Sequence, residues 1–373
     1  MATLILTCDT GEGHNSCAKA MKEVYDANGV PCEIINPVRF VAEWFAGFVH
    51  WVHTVTYQKH PGVFKIGYRF TQKYNGLTTK RGSFPYWVLS FGAKKLHEYI
   101  IQNNITQLLC VHPLLMMMVS EQQRKYGLNI PTAYVSTDYT CCPGVSDSRP
   151  DICFIPDATL SEEFVGENIR YFQLAVSGIP VRQQFYKSTD KATAKTQVGI
   201  PEDAPNLLLM CGSMGCGPME EMLDSFLMEA SFHITIVCGN NEKLRRRLEE
   251  KYAARSNVHI LGFVQNISAL MDSADLFVTK PGGLSSTEAA VKCLPAVYIN
   301  AVGGCENYNL EFFVNRGCAM AANSTAHAAA LCRELLHDTE KLAEMRNNLK
   351  GLDLPNAANI IFQTMDAYKK YEV

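Results

Sequence analysis

Four stretches hold the residues whose types and spacing fit chemistry on a phosphorylated substrate. In DLFVTKPGGLSSTEAA, Asp275 to Ala290, the apolar run Leu276-Phe277-Val278 reads as a buried strand and Lys280-Pro281-Gly282-Gly283 breaks it. Ser285 to Glu288 then opens a helix, with Ser285 as the expected N-cap and Glu288 at the third helical position. Strand, glycine turn and helix start aim free N–H groups and the positive end of the helix dipole at an anion. Glu288 can accept hydrogen bonds from ribose hydroxyls; the alternative is an ordinary capping box. A second glycine loop, Cys211-Gly212-Ser213-Met214-Gly215-Cys216-Gly217, follows the strand Leu207 to Met210. A third, Asp9-Thr10-Gly11-Glu12-Gly13-His14, follows the strand Thr3 to Cys8 and precedes a helix from Asn15 to Ala27. Ser16-Cys17 stands where the dinucleotide fingerprint has its last glycine, which argues against a nicotinamide site. His14 closes this loop, either as a base at the mouth of a cleft or as a helix cap. Asp138 follows the strand Thr132 to Ser136, at the carboxyl end where α/β sheets place ligands; the alternative is a turn-forming Asp.

The elements that position these residues alternate strand and helix through two halves of similar construction, with no short repeat. The polar stretch from Gln183 to Pro205 is the expected linker. One segment breaks the alternation. Between Phe40 and Lys95 lie all three tryptophans (Trp44, Trp51, Trp87), eight Lys or Arg and one acid, Glu43. Val41, Trp44, Phe45, Phe48, Trp51, Val52 and Val55 recur at helical spacing. Beside Lys59, Lys65, Arg69 and Lys73 they predict an interfacial helix on an anionic bilayer; a core helix with a solvated basic loop is the alternative.

Composition narrows the rest. The 373 residues are 47% hydrophobic, enough for two cored domains. A net charge of -3 gives no general attraction to nucleic acid. Fourteen cysteines without a C-x-x-C pair support neither a zinc ribbon nor a thioredoxin motif, and their apolar settings suit reduced thiols in a cytosol. The N-terminus has no basic region ahead of its apolar run, so no signal peptide is expected. No uninterrupted apolar stretch is long enough to predict a membrane span.

GEGH, SGIPVRQQF, GSMGCG, GFVQNISALMDSADLFVTKPGGLSSTEA and GGCENYNLEFF together resemble the glycolipid glycosyltransferases: processive diacylglycerol glucosyltransferases and monogalactosyldiacylglycerol synthases. A more distant likeness is to the enzyme that adds N-acetylglucosamine to lipid I. The resemblance covers nearly the whole chain and implies a GT-B fold, α/β with two Rossmann-like domains facing a cleft. The domains would be 1–182 and 206–355, with a last helix in 356–373 returning to the first. It implies that Gly13, Gly212, Ser213, Gly215, Gly282, Gly283 and Leu284 lie against a UDP-sugar donor and that Arg182 neutralises its phosphate. Phe263 and Val264 would border the uracil, Glu288 the ribose, and Glu306 and Asn309 the sugar. His14 and Asp138 would be catalytic.

The chain has no D-x-D sequence, so no metal and no cofactor is expected; Arg182 and helix N-termini would stabilise the departing UDP. The resulting expectation is an inverting hexosyltransferase moving a hexose, UDP-glucose being the first choice of donor, to diacylglycerol on the inner face of the cell membrane. A lipid-linked N-acetylglucosaminyltransferase and a non-catalytic nucleotide-sugar sensor are the alternatives. Cys142 and Val145 after Asp138, and Cys305 where the resembling enzymes commonly have glutamine, are departures from that pattern.

Overall fold

Short apolar runs build both sheets. Strands such as Thr3–Leu6 and Leu276–Thr279 are buried along their whole length, as strands covered on both faces must be. The computed structural model describes residues 2–8, 12–59, 62, 66–67, 70–71, 81–145, 148–212, 215, 217–228, 232–299 and 303–368, the side chains of 50, 53 and 57–59 excepted. The chain forms two units. Residues 1–182, 302–305 and 355–373 make the first, and 183–301 with 306–354 the second.

In the first unit the order is β1 (Thr3–Leu6), α1 (Glu12–Ala27), β2 (Cys32–Ile35), α2 (Glu43–Lys59), α3 (Phe84–Ser90), α4 (Ala93–Gln102), β3 (Gln107–Cys110), α5 (Pro113–Tyr126), β4 (Thr132–Val135), β5 (Ile152–Ile155), α6 (Ser161–Gly166) and β6 (Leu174–Val176). The strands run parallel in the order β2-β1-β3-β4-β5-β6. Local chemistry sets the helix ends. For α5, His112 accepts from the Leu114 amide, Pro113 supplies a preset φ, and Gly127 stops the helix at φ 62°.

The second unit carries α7 (Lys191–Gln197), β7 (Asn206–Met210), α8 (Met219–Leu227), β8 (His233–Val237), α9 (Glu242–Lys251), β9 (Val258–Leu261), α10 (Ile267–Ser273), β10 (Leu276–Thr279), α11 (Gly283–Val291), β11 (Ala296–Tyr298), α12 (Cys305–Val314), β12 (Ala319–Ala321), α13 (Thr325–His337) and α14 (Thr339–Gly351). Its strands are parallel in the order β12-β11-β10-β7-β8-β9. The polar stretch 183–205, expected as a linker, holds α7, on which Ala194 and Lys195 are buried. Asp275, just before β10, fixes that helix: its carboxylate meets Lys191 Nζ at 2.6 Å and Lys195 Nζ at 3.0 Å and accepts from the Asn206 amide at 3.0 Å. Burial alone would raise the Asp275 carboxyl, but the Lys191 charge overrides it and holds it below the usual range.

A final helix, α15 (Ala357–Ala367), belongs to the first unit. Ala357, Ala358, Ile361 and Met365 are buried, and Phe362 meets Tyr25 of α1 edge to face at 5.0 Å.

The aromatic helix has two faces rather than one apolar stripe. Ala46 is buried, and Phe45 and Val49 pack on the core. Trp44 and Trp51 are 71% and 59% exposed, and Phe48 is exposed between them. Helix α3 repeats the scheme: Tyr86 and Leu89 face inward while Phe84, Trp87 and Phe91 are exposed. The Tyr86 hydroxyl donates to Glu121 of α5 at 2.8 Å, which pins the inward face. Burial would raise the Glu121 carboxyl, but hydrogen bonds from Lys125 and Tyr86 hold it low. Lys65, Arg69 and Lys73 lie outside the described residues, as does the Lys59 side chain. Among the described residues no helix is long and apolar enough to cross a membrane.

Candidate active site

Helix α1 begins at Glu12, so Gly13 and His14 sit in its first turn rather than in the preceding loop. The ring of His14 is held from two strands. Its Nδ1 lies 2.9 Å from the Val111 carbonyl after β3 and 3.2 Å from Thr137 Oγ1 after β4. A carbonyl can only accept, so Nδ1 carries the proton and Nε2 is the basic nitrogen of the neutral ring. Thr137 Oγ1 in turn donates to Asp138 Oδ2 at 3.4 Å. Thr137 therefore brings the two candidate catalytic residues into one chain, Asp138–Thr137–His14. Sequence reasoning missed Thr137, the Val111 carbonyl and His112, whose ring meets His14 edge on at 4.7 Å. His112 precedes a Pro-initiated helix, a signal that pointed only to capping.

On the other side of α1 a polar cavity of 480 Å³ opens at the carboxyl ends of β1 and β2. Thr7, Asn15, Lys19, Glu33, Asn36 and Arg39 line it, with Phe40 and Tyr99 on its walls and Glu43, the first residue of α2, at one edge. Burial and a hydrogen bond to Glu33 push the Tyr99 hydroxyl up to about 12, so it stays a donor at neutral pH. Its lining includes both Glu43, at the start of the aromatic helix, and Asn15, the neighbour of His14.

The glycine turns of the second unit are built from backbone. The cap of α11 is Gly282, at φ -73° and ψ 141°, with no side-chain hydrogen bond. Ser285 is inside the helix, its hydroxyl donating to the Gly282 carbonyl at 3.4 Å, so the expected Ser285 cap is corrected. Glu288 is buried in the second turn instead of at the third position, and the capping-box alternative falls with it. Gly283 and Leu284 form the opening residues, whose amides no side chain of the turn caps. Asn309 of α12 is buried and its amide donates to the Pro281 carbonyl at 3.1 Å, tying the turn down. Glu306 lies one turn earlier on α12, half-buried.

In the loop after β7, Gly212 and Gly215 have φ of 71° and 55°, and a Cβ on Gly215 would come within 2.2 Å of the Cys238 carbonyl. Only glycine fits there. Ser213 lies outside the described residues. Phe263 is 61% exposed beyond the end of β9, beside the half-buried Val264. Arg182 is half-buried at the end of the first unit's main run.

Residues 14–181 match the family model described as monogalactosyldiacylglycerol (MGDG) synthase, and 225–351 match glycosyl transferases group 1. Each half of the chain therefore matches a glycosyltransferase family model, the first half that of the monogalactosyldiacylglycerol synthases. Its similar relatives include the processive diacylglycerol beta-glucosyltransferase of Bacillus pumilus (strain SAFR-032), 27% identical over 96% of this chain and 93% of that protein. The enzyme of the same description from Bacillus subtilis (strain 168) is 26% identical over 99% and 95%. Among solved structures, Acinetobacter baumannii MurG superposes with a TM-score of 0.63 at 15% identity, covering 99% of this chain and all of that one. Anabaena HepE in complex with UDP gives 0.59 at 13%, with 99% and 100% covered. The fold is GT-B, and the protein is a glycosyltransferase.

Proposed function

We propose that the protein is an inverting, metal-independent transferase that moves glucose from UDP-glucose to the free hydroxyl of diacylglycerol in a membrane surface. The observation that carries the catalytic part is the pinned Nδ1 of His14, 2.9 Å from the Val111 carbonyl, which makes Nε2 the basic nitrogen. Nε2 takes the proton of the acceptor hydroxyl as its oxygen attacks the anomeric carbon, and UDP leaves from the opposite side. Asp138, through Thr137, stabilises the ring as it becomes charged.

The second unit supplies the donor site. The uncapped opening of α11 and the Gly212–Gly215 turn offer amides to the diphosphate. Glu288 takes the ribose hydroxyls, with Phe263 and Val264 beside the base. Glu306 reads the sugar hydroxyls, and Asn309 acts through the Pro281 turn. Support for glucose and for diacylglycerol comes from the near full-length match to the processive diacylglycerol beta-glucosyltransferases.

The acceptor side rests on the exposed aromatic faces of α2 and α3. Trp44, Phe48, Trp51 and Trp87 are the side chains to enter the lipid interface, with the basic excess of the segment, Lys59, Lys65 and Arg69 included, facing anionic headgroups on the cytoplasmic side. The polar cavity beside α1 suits an uncharged polyhydroxyl group, since its carboxylates, amides and cations offer both donors and acceptors. A lipid that already carries one glucose is therefore a further acceptor.

The test is release of UDP from UDP-glucose and from UDP-galactose, with and without diacylglycerol in vesicles, the product weighed by mass spectrometry. Glucosyl-diacylglycerol formed only with lipid present is the expected result. Faster turnover of UDP-galactose would overturn the donor assignment, and lipid-independent release would overturn the acceptor.

A further inference from the structure

Two thiols and a carboxylate converge next to the Asp138–Thr137–His14 chain. Cys142 lies four residues beyond Asp138, and Cys305 opens α12 within the short run 302–305 that belongs to the first unit. Their sulfurs are 3.0 Å apart although 163 residues separate them. Cys142 Sγ also faces Asp138 Oδ2 at 3.9 Å. The ligand atoms of Asp138, Cys142 and Cys305 all lie within 4.8 Å of one another. Cys142 is buried, whereas Cys305 and Asp138 are half-exposed, so a small ion can approach from their side.

This donor set has a chemical preference. Two thiolates with one carboxylate suit a borderline-soft, tetrahedral ion, and neither magnesium nor calcium selects thiolates. Zinc–sulfur bonds of about 2.3 Å at tetrahedral angles place two sulfurs roughly 3.8 Å apart. The pair needs to open by less than about 1 Å to reach that span.

We propose that Asp138, Cys142 and Cys305 form a zinc site, with water in the fourth position, and that zinc bound there switches glycosyl transfer off. Binding exchanges two thiol protons for the ion: Zn²⁺ and two thiols give a bis-thiolate complex and two released protons, with the Asp138 carboxylate as third ligand. No electron moves. Zinc takes Asp138 away from Thr137, so the His14 ring loses its orienting charge. The inhibitory consequence rests on the catalytic reading above; the binding does not. Because each thiol must give up its proton to bind the ion, zinc affinity falls as pH falls.

The experiment titrates reduced, full-length enzyme with zinc chloride by calorimetry, and with cadmium chloride while following the ultraviolet thiolate-to-cadmium charge-transfer band. One tight equivalent with two thiolates in the band is expected. Cys142→Ser and Cys305→Ser should each weaken it by at least about 100-fold, and Asp138→Asn by about 10-fold or more. The Cys142→Ser/Cys305→Ser double variant sets the background from other thiols, and its circular dichroism checks the fold. Stoichiometric zinc should inhibit the wild type, EDTA should restore it, and Cys142→Ser should keep its activity in zinc. Zinc binding no tighter than in the double variant would overturn the site. Tight binding without inhibition would overturn the switch. Tight binding to an enzyme that transfers no sugar with or without zinc would instead fault the proposed function.

Discussion

The β1–α1 and β10–α11 junctions share one plan, strand, glycine turn and helix start, and use it oppositely. At β10–α11 the proposed working groups are backbone amides. Gly282 caps without a side chain, and Asn309 holds the turn from outside through the Pro281 carbonyl. At β1–α1 the proposed working group is a side chain, His14, whose ring is fixed by Val111 and Thr137 from two other strands. An anion is held by many weak, evenly placed dipoles, which a regular helix end supplies unaided. Proton transfer needs one nitrogen in one tautomer, which only long-range contacts can impose.

The hardest blow to this contrast is His14→Asn, which keeps polarity but removes the base. Turnover should fall by about two to four orders of magnitude while UDP affinity, measured by calorimetry, stays near wild type. Asp138→Asn should cost less, as expected of an orienting residue. Near-normal turnover in His14→Asn together with a dead Asp138→Asn would exchange the two roles.

Next in size is the footing of the backbone site. Asp275→Asn leaves Lys195 buried without its partner charge and should destabilise the second unit by about 3 kcal/mol in urea unfolding. The sign with pH follows from the depressed Asp275 carboxyl. Its stabilisation is complete above the unfolded aspartate value near 4 and is lost as pH falls through the lower folded value. Equal acid sensitivity of wild type and variant would remove Asp275 from that footing.

A finer cut separates Glu288 from the amides. Glu288→Ala should weaken UDP by about 1–3 kcal/mol, the effect of losing hydrogen bonds to a charged group. Thymidine diphosphate, which lacks the ribose 2′-hydroxyl, should lose less. Unchanged UDP affinity would leave the diphosphate amides as the whole of the site. Smallest is the outer edge of the acceptor side. Trp44→Ala and Trp51→Ala should each weaken flotation with neutral vesicles by about 1 kcal/mol and leave UDP binding untouched.

What was legible in the sequence follows the same contrast. Helix α5 carries its limits locally, in His112, Pro113 and Gly127. The alternation of buried strands was readable for the same reason. The start of α11 was misread because Ser285-x-x-Glu288 imitates a capping box, while the extended backbone at Gly282 had already begun the helix at Gly283. The tie from His14 to Thr137 spans 123 residues and depends on β3 lying next to β1 and β4 next to β3, which no local pattern states. The aromatic segment was read as one stripe. The fold splits it, because Phe45 and Val49 meet the core while Trp44 and Trp51 do not.

The edge-to-face contact of Phe362 on Tyr25 has a consequence for the order in which the protein is made. The first unit is closed by residues translated after the whole of the second unit. Its sheet leaves the ribosome with the Tyr25 face of α1 bare, and the whole of the second unit must be synthesised before α15 exists to cover it. At ordinary elongation rates that interval is on the order of ten seconds. The second unit, drawn from one nearly continuous run, has no such wait. The nascent chain therefore completes its second unit while the first, with its exposed aromatics, still waits for α15.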